Sequence, residues 1–75
     1  MQIIKQKRNH WRVEPGTTAE PYASLELRSA FDADKVWQYG WHIMVRDRDG
    51  LVIEHGGVHA TAKNAAAAAI ALLSR

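Results

Sequence analysis

Trp37, Tyr39, Trp41, Ile43 and Val45 stand at every second position of one short stretch. Successive side chains of an extended chain point to opposite faces, so this spacing predicts a strand with one apolar face directed at a core. Asp49-Gly50 comes next and is a strong hairpin signal, because both residues accept the positive φ that a tight turn demands. Leu51-Val52-Ile53 resumes a β-branched run, Gly56-Gly57 reads as a second tight turn, and Val58-His59-Ala60 as a third, short strand. Together they predict a three-stranded antiparallel meander. Upstream, Leu25-Glu26-Leu27-Arg28 alternates apolar and polar and predicts a strand between Tyr22 and Phe31. A helix competes there, since Ala23, Leu27, Ala30 and Phe31 also share a helical face. Asp32-Ala33-Asp34-Lys35 reads as a connection.

Beyond the sheet the chain changes character. Thr61 is a natural N-cap, its hydroxyl able to accept from an otherwise orphan amide. Ala62 to Ser74 then has close to the highest helix propensity available. Polar residues sit at its ends (Lys63, Asn64, Ser74), and from Ala65 to Leu73 no side chain is polar. A surface helix ordinarily carries a polar face. This one either turns bland alanine to solvent or is buried on both sides, against its own sheet and against a second chain. Its small residues allow a close approach to Trp37, Tyr39 and Trp41 without overpacking.

The fold class expected is therefore α+β: an antiparallel β-meander of three to five strands with one C-terminal Ala-rich helix packed on one face. The boundaries expected within residues 1–75 are those of a single small domain, with a basic N-terminal leader at 1–14, the sheet at 22–60 and the helix at 61–74. Pro15-Gly16-Thr17-Thr18-Ala19-Glu20-Pro21 is dense in turn formers and reads as the loop between leader and sheet.

Composition narrows the function classes. Of 75 residues, 47% are hydrophobic, but twelve of them are alanine, so a bilobed enzyme with a deep cleft is not expected. With no cysteine, disulfides and thiolate zinc sites are excluded. The apolar run from Ala65 to Leu73 is far shorter than a membrane span needs, and no secretory pattern opens the chain. The expectation is a cytoplasmic protein with no membrane contact.

The search for chemistry returns little. His55 and His59 are separated by Gly56-Gly57 and so lack helical His-x3-His spacing. Across a hairpin they could face one another, with His42 joining, but solvent-facing strand histidines are the expectation, and no metal or other cofactor is called for. Asp32, Asp34, Asp47 and Asp49 lie in turn-like segments, where carboxylates support the backbone locally. Gly56-Gly57 is followed by a strand and not by a helix, so no phosphate-cradling loop is present. No catalytic residue is assigned, and the chain is not expected to be an enzyme.

The remaining signal is charge interleaved with an aromatic. The formal net charge is +2, and its excess sits near the amino terminus. Lys5, Lys7, Arg8 and Arg12 would neutralise phosphates, and Trp11 among them would stack on a base or lie in a groove. On the outer sheet face His42 and Arg46 alternate with the core positions and are expected to be accessible, with Arg48 and Lys63 extending a positive edge.

From Trp41 to Leu73 the order of an aromatic-led strand, Arg46-Asp47-Arg48-Asp49-Gly50, another strand, Gly56-Gly57 and Thr61-x-Lys63-x-Ala65 opening a helix resembles the amino-terminal arm-binding domains of phage integrases. That resemblance implies three strands packed on one helix, with the sheet entering a DNA groove. The same half is similar to the end of a double-stranded-RNA-binding domain, where a meander leads into an Ala-rich helix opened by lysine, here Lys63. The expected function is a small non-enzymatic nucleic-acid-binding module. The alternative is a phage or bacterial accessory protein that binds, and can inhibit, a larger host protein, alone or as a homodimer.

Overall fold

The computed structural model describes residues 1–16 and 20–75. Five antiparallel strands, β1 (Gln2–Lys7), β2 (His10–Glu14), β3 (Tyr22–Phe31), β4 (Trp37–Arg46) and β5 (Val52–His59), precede one helix, α1 (Ala62–Leu73). The sheet order is β1-β2-β3-β4-β5, so each strand pairs with its chain neighbour. The fold is α+β with an antiparallel sheet, as the alternation and the alanine run predict. The Tyr22–Phe31 stretch is a strand and not a helix.

The register explains the core. Direct partners in an antiparallel pair share a face, and Val13↔Ala23, Trp11↔Leu25, Leu25↔Ile43 and Leu27↔Trp41 line up across β2, β3 and β4. The helix lies on this face. Val13, Leu25, Ile43, Ala65 and Ala69 are sealed from solvent, and Trp41 joins them at 7% exposure. Sealing a side chain such as Leu25 or Ile43 contributes about 1.5–3 kcal/mol. At the start of α1 the Asn64 N–H donates to Thr61 Oγ1 at 3.1 Å, which makes Thr61 the N-cap. The outer surface of α1 carries exposed Lys63, Asn64, Ala67 and Ala71. No helix among the described residues is long and apolar enough to cross a membrane.

Three expectations are corrected. Residues 1–14 are not a leader but the β1–β2 hairpin, joined to the sheet through β2. On β2 the apolar Trp11 and Val13 alternate with His10, Arg12 and Glu14, which gives a strand the look of a charged segment. The loop read at 15–21 falls partly on Thr17, Thr18 and Ala19, which lie outside the described residues.

The second correction concerns Gly56-Gly57. β5 runs unbroken through both glycines, and the expected third strand of the meander is its far half. The β4–β5 ladder slips by one residue between Ile43 and Met44, the mark of a bulge. Gly56 is there because the helix is close: a Cβ would sit 2.5 Å from Leu72 Cδ1 and 2.7 Å from Ile43 Cγ2. Gly57 comes next with φ +107.

The third is the expectation that the helix approaches all three of Trp37, Tyr39 and Trp41. Trp37 and Tyr39 share a face with Trp41, yet they are 61% and 72% exposed. A twelve-residue helix reaches about 18 Å at 1.5 Å per residue. A ten-residue strand reaches about 34 Å. The alanine helix therefore covers only half of β4.

Candidate nucleic-acid interface

Up-and-down order brings the β1–β2 turn, the β3–β4 turn, the end of β5 and the start of α1 to one end of the molecule. β3 and β4 pair along their whole length, from Tyr22↔Arg46 to Phe31↔Trp37. The β2 partners reach only Glu26 and the β5 partners only Trp41. Beyond those points β3 and β4 continue as a two-stranded arm.

The arm is closed by Asp32. Its Oδ1 accepts from the backbone N–H groups of Asp34 and Val36, each at 2.9 Å, while its Oδ2 accepts from the Gln38 side-chain amide. The Val36 amide leads the interactions that hold the Asp32 carboxyl below the usual range. Lys35, in the same turn, takes a left-handed φ of 62. On the helix-side face of the arm Phe31 packs edge-on with Trp37, ring centroids 4.9 Å apart, and Tyr39 stands beside them.

Free cations collect at this end. The described ion pairs are Arg12–Glu14 at 2.8 Å, Arg28–Glu26 and Arg46–Glu26 at 3.8 Å, and Arg75–Glu54 at 2.7 Å. Lys7, Arg8, Lys35 and Lys63 belong to none of them and are exposed. Arg48 is exposed too, but it sits between Asp47 and Asp49 at the opposite end. The β1–β2 turn that carries Arg8 is held against the arm's root, where Leu27 N–H donates to the Asn9 carbonyl at 3.0 Å. Lys63 enters from the other side on the first turn of α1. Asp32 and Asp34 are the acids of the arm tip.

The residues singled out from sequence separate into two groups. Lys5, Lys7 and Arg8 lie on β1 and its turn and are exposed. Trp11 is not a free stacking ring: it packs against Trp41, centroids 5.7 Å apart, under the Lys5 ammonium at 4.7 Å. Arg12 lies over the Tyr22 ring at 3.9 Å beside Glu14, on the helix-free face. On that face Arg46 Nε donates to Ser24 Oγ at 3.0 Å and Nη1 to the Gly50 carbonyl at 2.8 Å. A groove of about 260 Å³ runs between these groups, with His10, Ser24 and Glu26 in its walls. Both arginines are already spent on internal partners. The expectation that His42 is accessible is overturned: it is 1% exposed.

His42 is buried as half of a histidine pair. His55 Nδ1 accepts from the Gly57 N–H at 3.1 Å, so the neutral ring carries its proton on Nε2. That proton faces His42 Nδ1 at 3.3 Å, and His42 Nε2 lies 3.0 Å from the Gln38 carbonyl. One tautomer of each ring satisfies the whole chain. Burial, and then the neighbouring His42, lower the His55 pKa from its usual value, against a smaller pull upward from Asp32. His59 does not join, since it pairs with Trp41 on the strand. Among the described residues no group of three or more His, Cys, Asp or Glu is placed to hold a metal ion.

No family model, curated protein or solved structure matches the chain. The arm aromatics and Lys35 escape a reading of the sequence because an unbroken alternation looks like core along its full length. The signal that finds them is the mismatch between helix length and strand length.

Proposed function

We propose that the chain is a small nucleic-acid-binding module, and that it binds through the arm end and not through the helix-free face of the sheet. The observation behind this reading is the segregation of charge. The arginines of the sheet face and Arg75 have carboxylate neighbours, whereas Lys7, Arg8, Lys35 and Lys63 are exposed around one arm and have no ion-pair partner among the described residues. Unpaired cations keep their counterions until a phosphate displaces them, which makes binding favourable and salt-dependent.

The test is a fluorescence-anisotropy titration of labelled single-stranded and duplex oligonucleotides. Affinity is expected to fall steeply between about 50 and 200 mM salt, with each lost phosphate contact shallowing the log–log slope by about 0.7–0.9. Lys7→Glu/Arg8→Glu is expected to weaken binding at least about tenfold, and Arg48→Glu at the opposite end is the control that leaves it nearly unchanged. Absence of binding to either oligonucleotide at low salt refutes the reading.

Exposed Leu51, just before β5, and exposed Val52 and Ile53 at its start favour a second reading, docking on a larger protein at the other end of the sheet. Capture of one defined protein from nuclease-treated lysate, lost on Ile53→Asp, would replace the first reading with this one.

A further inference from the structure

We infer that the arm is a base-stacking platform for single-stranded nucleic acid, with one unpaired base held between Trp37 and Tyr39. The inference rests on the nucleic-acid reading above and specifies its ligand.

Phe31, Trp37 and Tyr39 are 60%, 61% and 72% exposed on one face of the arm. Apart from the Phe31–Trp37 edge contact, these three large rings bury little against the ribbon that carries them. Trp37 and Tyr39 are two residues apart on β4, so their side chains leave the strand about 6.8 Å apart. Stacked bases repeat at about 3.4 Å, so the gap is the thickness that one inserted base fills. Opposite Tyr39 the ladder places Ser29, a small residue that leaves the slot open toward β3. Phe31, edge-on to Trp37, braces the far wall of the slot.

The charges fix the path of the strand. Arg8 and Lys7 flank the arm's root on the β3 side and Lys63 on the β4 side, while at the tip Asp32 and Asp34 outnumber the single Lys35. A phosphate backbone is drawn across the root and repelled from the tip. It therefore crosses the arm, from the β1–β2 turn toward the start of α1. A duplex presents its phosphates outward and hides its base faces, so the rings have nothing to stack on. A single strand offers both.

The experiment compares oligo(dT) and oligo(rU) of about twelve nucleotides, within the range one such site covers, with a duplex of equal length. The proteins are wild type, Trp37→Ala/Tyr39→Ala and Trp37→Phe/Tyr39→Phe. Both positions are exposed and outside the core, so the variants are expected to fold; loss of the Phe31–Trp37 edge contact lowers the melting temperature of the alanine pair by a few degrees, and the phenylalanine pair keeps it. The alanine pair is expected to lose at least about tenfold in single-strand affinity, as removal of stacking on one base does. The phenylalanine pair retains most of it, and the weaker duplex binding of all three proteins stays the same. Tight binding of dT over rU, or the reverse, identifies the sugar without disturbing the inference.

Single-strand affinity unchanged in the alanine pair, or a wild-type preference for duplex, overturns the inference and leaves the nucleic-acid reading standing. No binding to any oligonucleotide overturns both. A wild-type dimer in sedimentation that the alanine pair converts to monomer assigns the face to a second copy and overturns the inference.

Discussion

Gly56→Ala is a change of one methyl group, and its cost can be worked out from the contacts around β5. The φ of Gly56 lies outside the left-handed region, so the backbone itself accepts alanine. Removing a glycine from the unfolded chain would then stabilise the protein by about 0.4–1 kcal/mol. The space forbids it. The new Cβ would lie 2.5 Å from Leu72 Cδ1, 2.7 Å from Ile43 Cγ2 and 3.0 Å from Ile43 Cβ. Carbon atoms rest at about 3.5–4.0 Å, so something must move by roughly an ångström. Leu72 is half-buried at the end of α1 and can swing aside. Ile43 is fully buried and cannot. Overpacking of this kind costs about 1–3 kcal/mol, which leaves a net loss of about 1.3 kcal/mol at mid-range, and at most about 2.6 kcal/mol, after the chain-entropy gain. For a domain of this size a loss of about 1.3 kcal/mol lowers Tm by roughly 5–10 °C. Far-UV circular dichroism melts of wild type, Gly56→Ala, Leu72→Ala and the double variant measure it. Because Leu72 accounts for one of the close contacts, the double variant should lose less than the sum of the single losses. A Gly56→Ala protein that melts at or above wild type, or losses that add fully, would show that the helix does not rest on this glycine.

Other outcomes depend on individual contacts. Thr61→Ala removes the cap on Asn64 N–H and should cost about 1 kcal/mol in urea unfolding, while Thr61→Ser should cost little. Glu54→Gln breaks the exposed contact with Arg75 Nη2; the loss should stay below about 1 kcal/mol and shrink further in high salt, as double-mutant cycles at two ionic strengths would reveal. The His55 pKa is lowered in the folded state relative to its ordinary 6.5, so below that value the unfolded chain binds the extra proton. Stability contributed by the neutral ring is present above about pH 6.5 and declines as the pH falls toward the lowered folded value. His55→Gln should therefore show a shallower loss of stability between pH 7 and 5 than wild type, and equal slopes in chemical denaturation would count against the histidine chain.

Much of the fold was written in local patterns. The alternation from Trp37 to Val45, the Asp49-Gly50 turn and the Thr61 cap each act within a few residues, and all three appear where expected. What failed were readings that depend on a neighbour distant in sequence. Gly56-Gly57 has the composition of a turn, and only Leu72, arriving from the end of α1, shows why a glycine is required inside a strand. Trp11 and Arg12 looked like parts of one basic segment, but adjacent residues of a strand face opposite ways, and each found its own partner. His42 looked accessible because it alternates with core positions. His55, on the neighbouring strand of the same sheet, and the Gln38 carbonyl close over it. For the candidate site, the cations of β1 were legible as charge, whereas Lys35, Lys63 and the arm rings gather beside them only through topology.

Strict neighbour-to-neighbour strand order has a kinetic consequence. No wide loop has to close before the first favourable contacts form, so the long β3–β4 hairpin can arise early and recruit β2 and β5 from either flank by short-range closure. Laying α1 back over those four strands is then the step that converts a zipped ribbon into a cooperative unit. Substitutions at Ala65 or Ala69 should accordingly speed unfolding more than they slow folding.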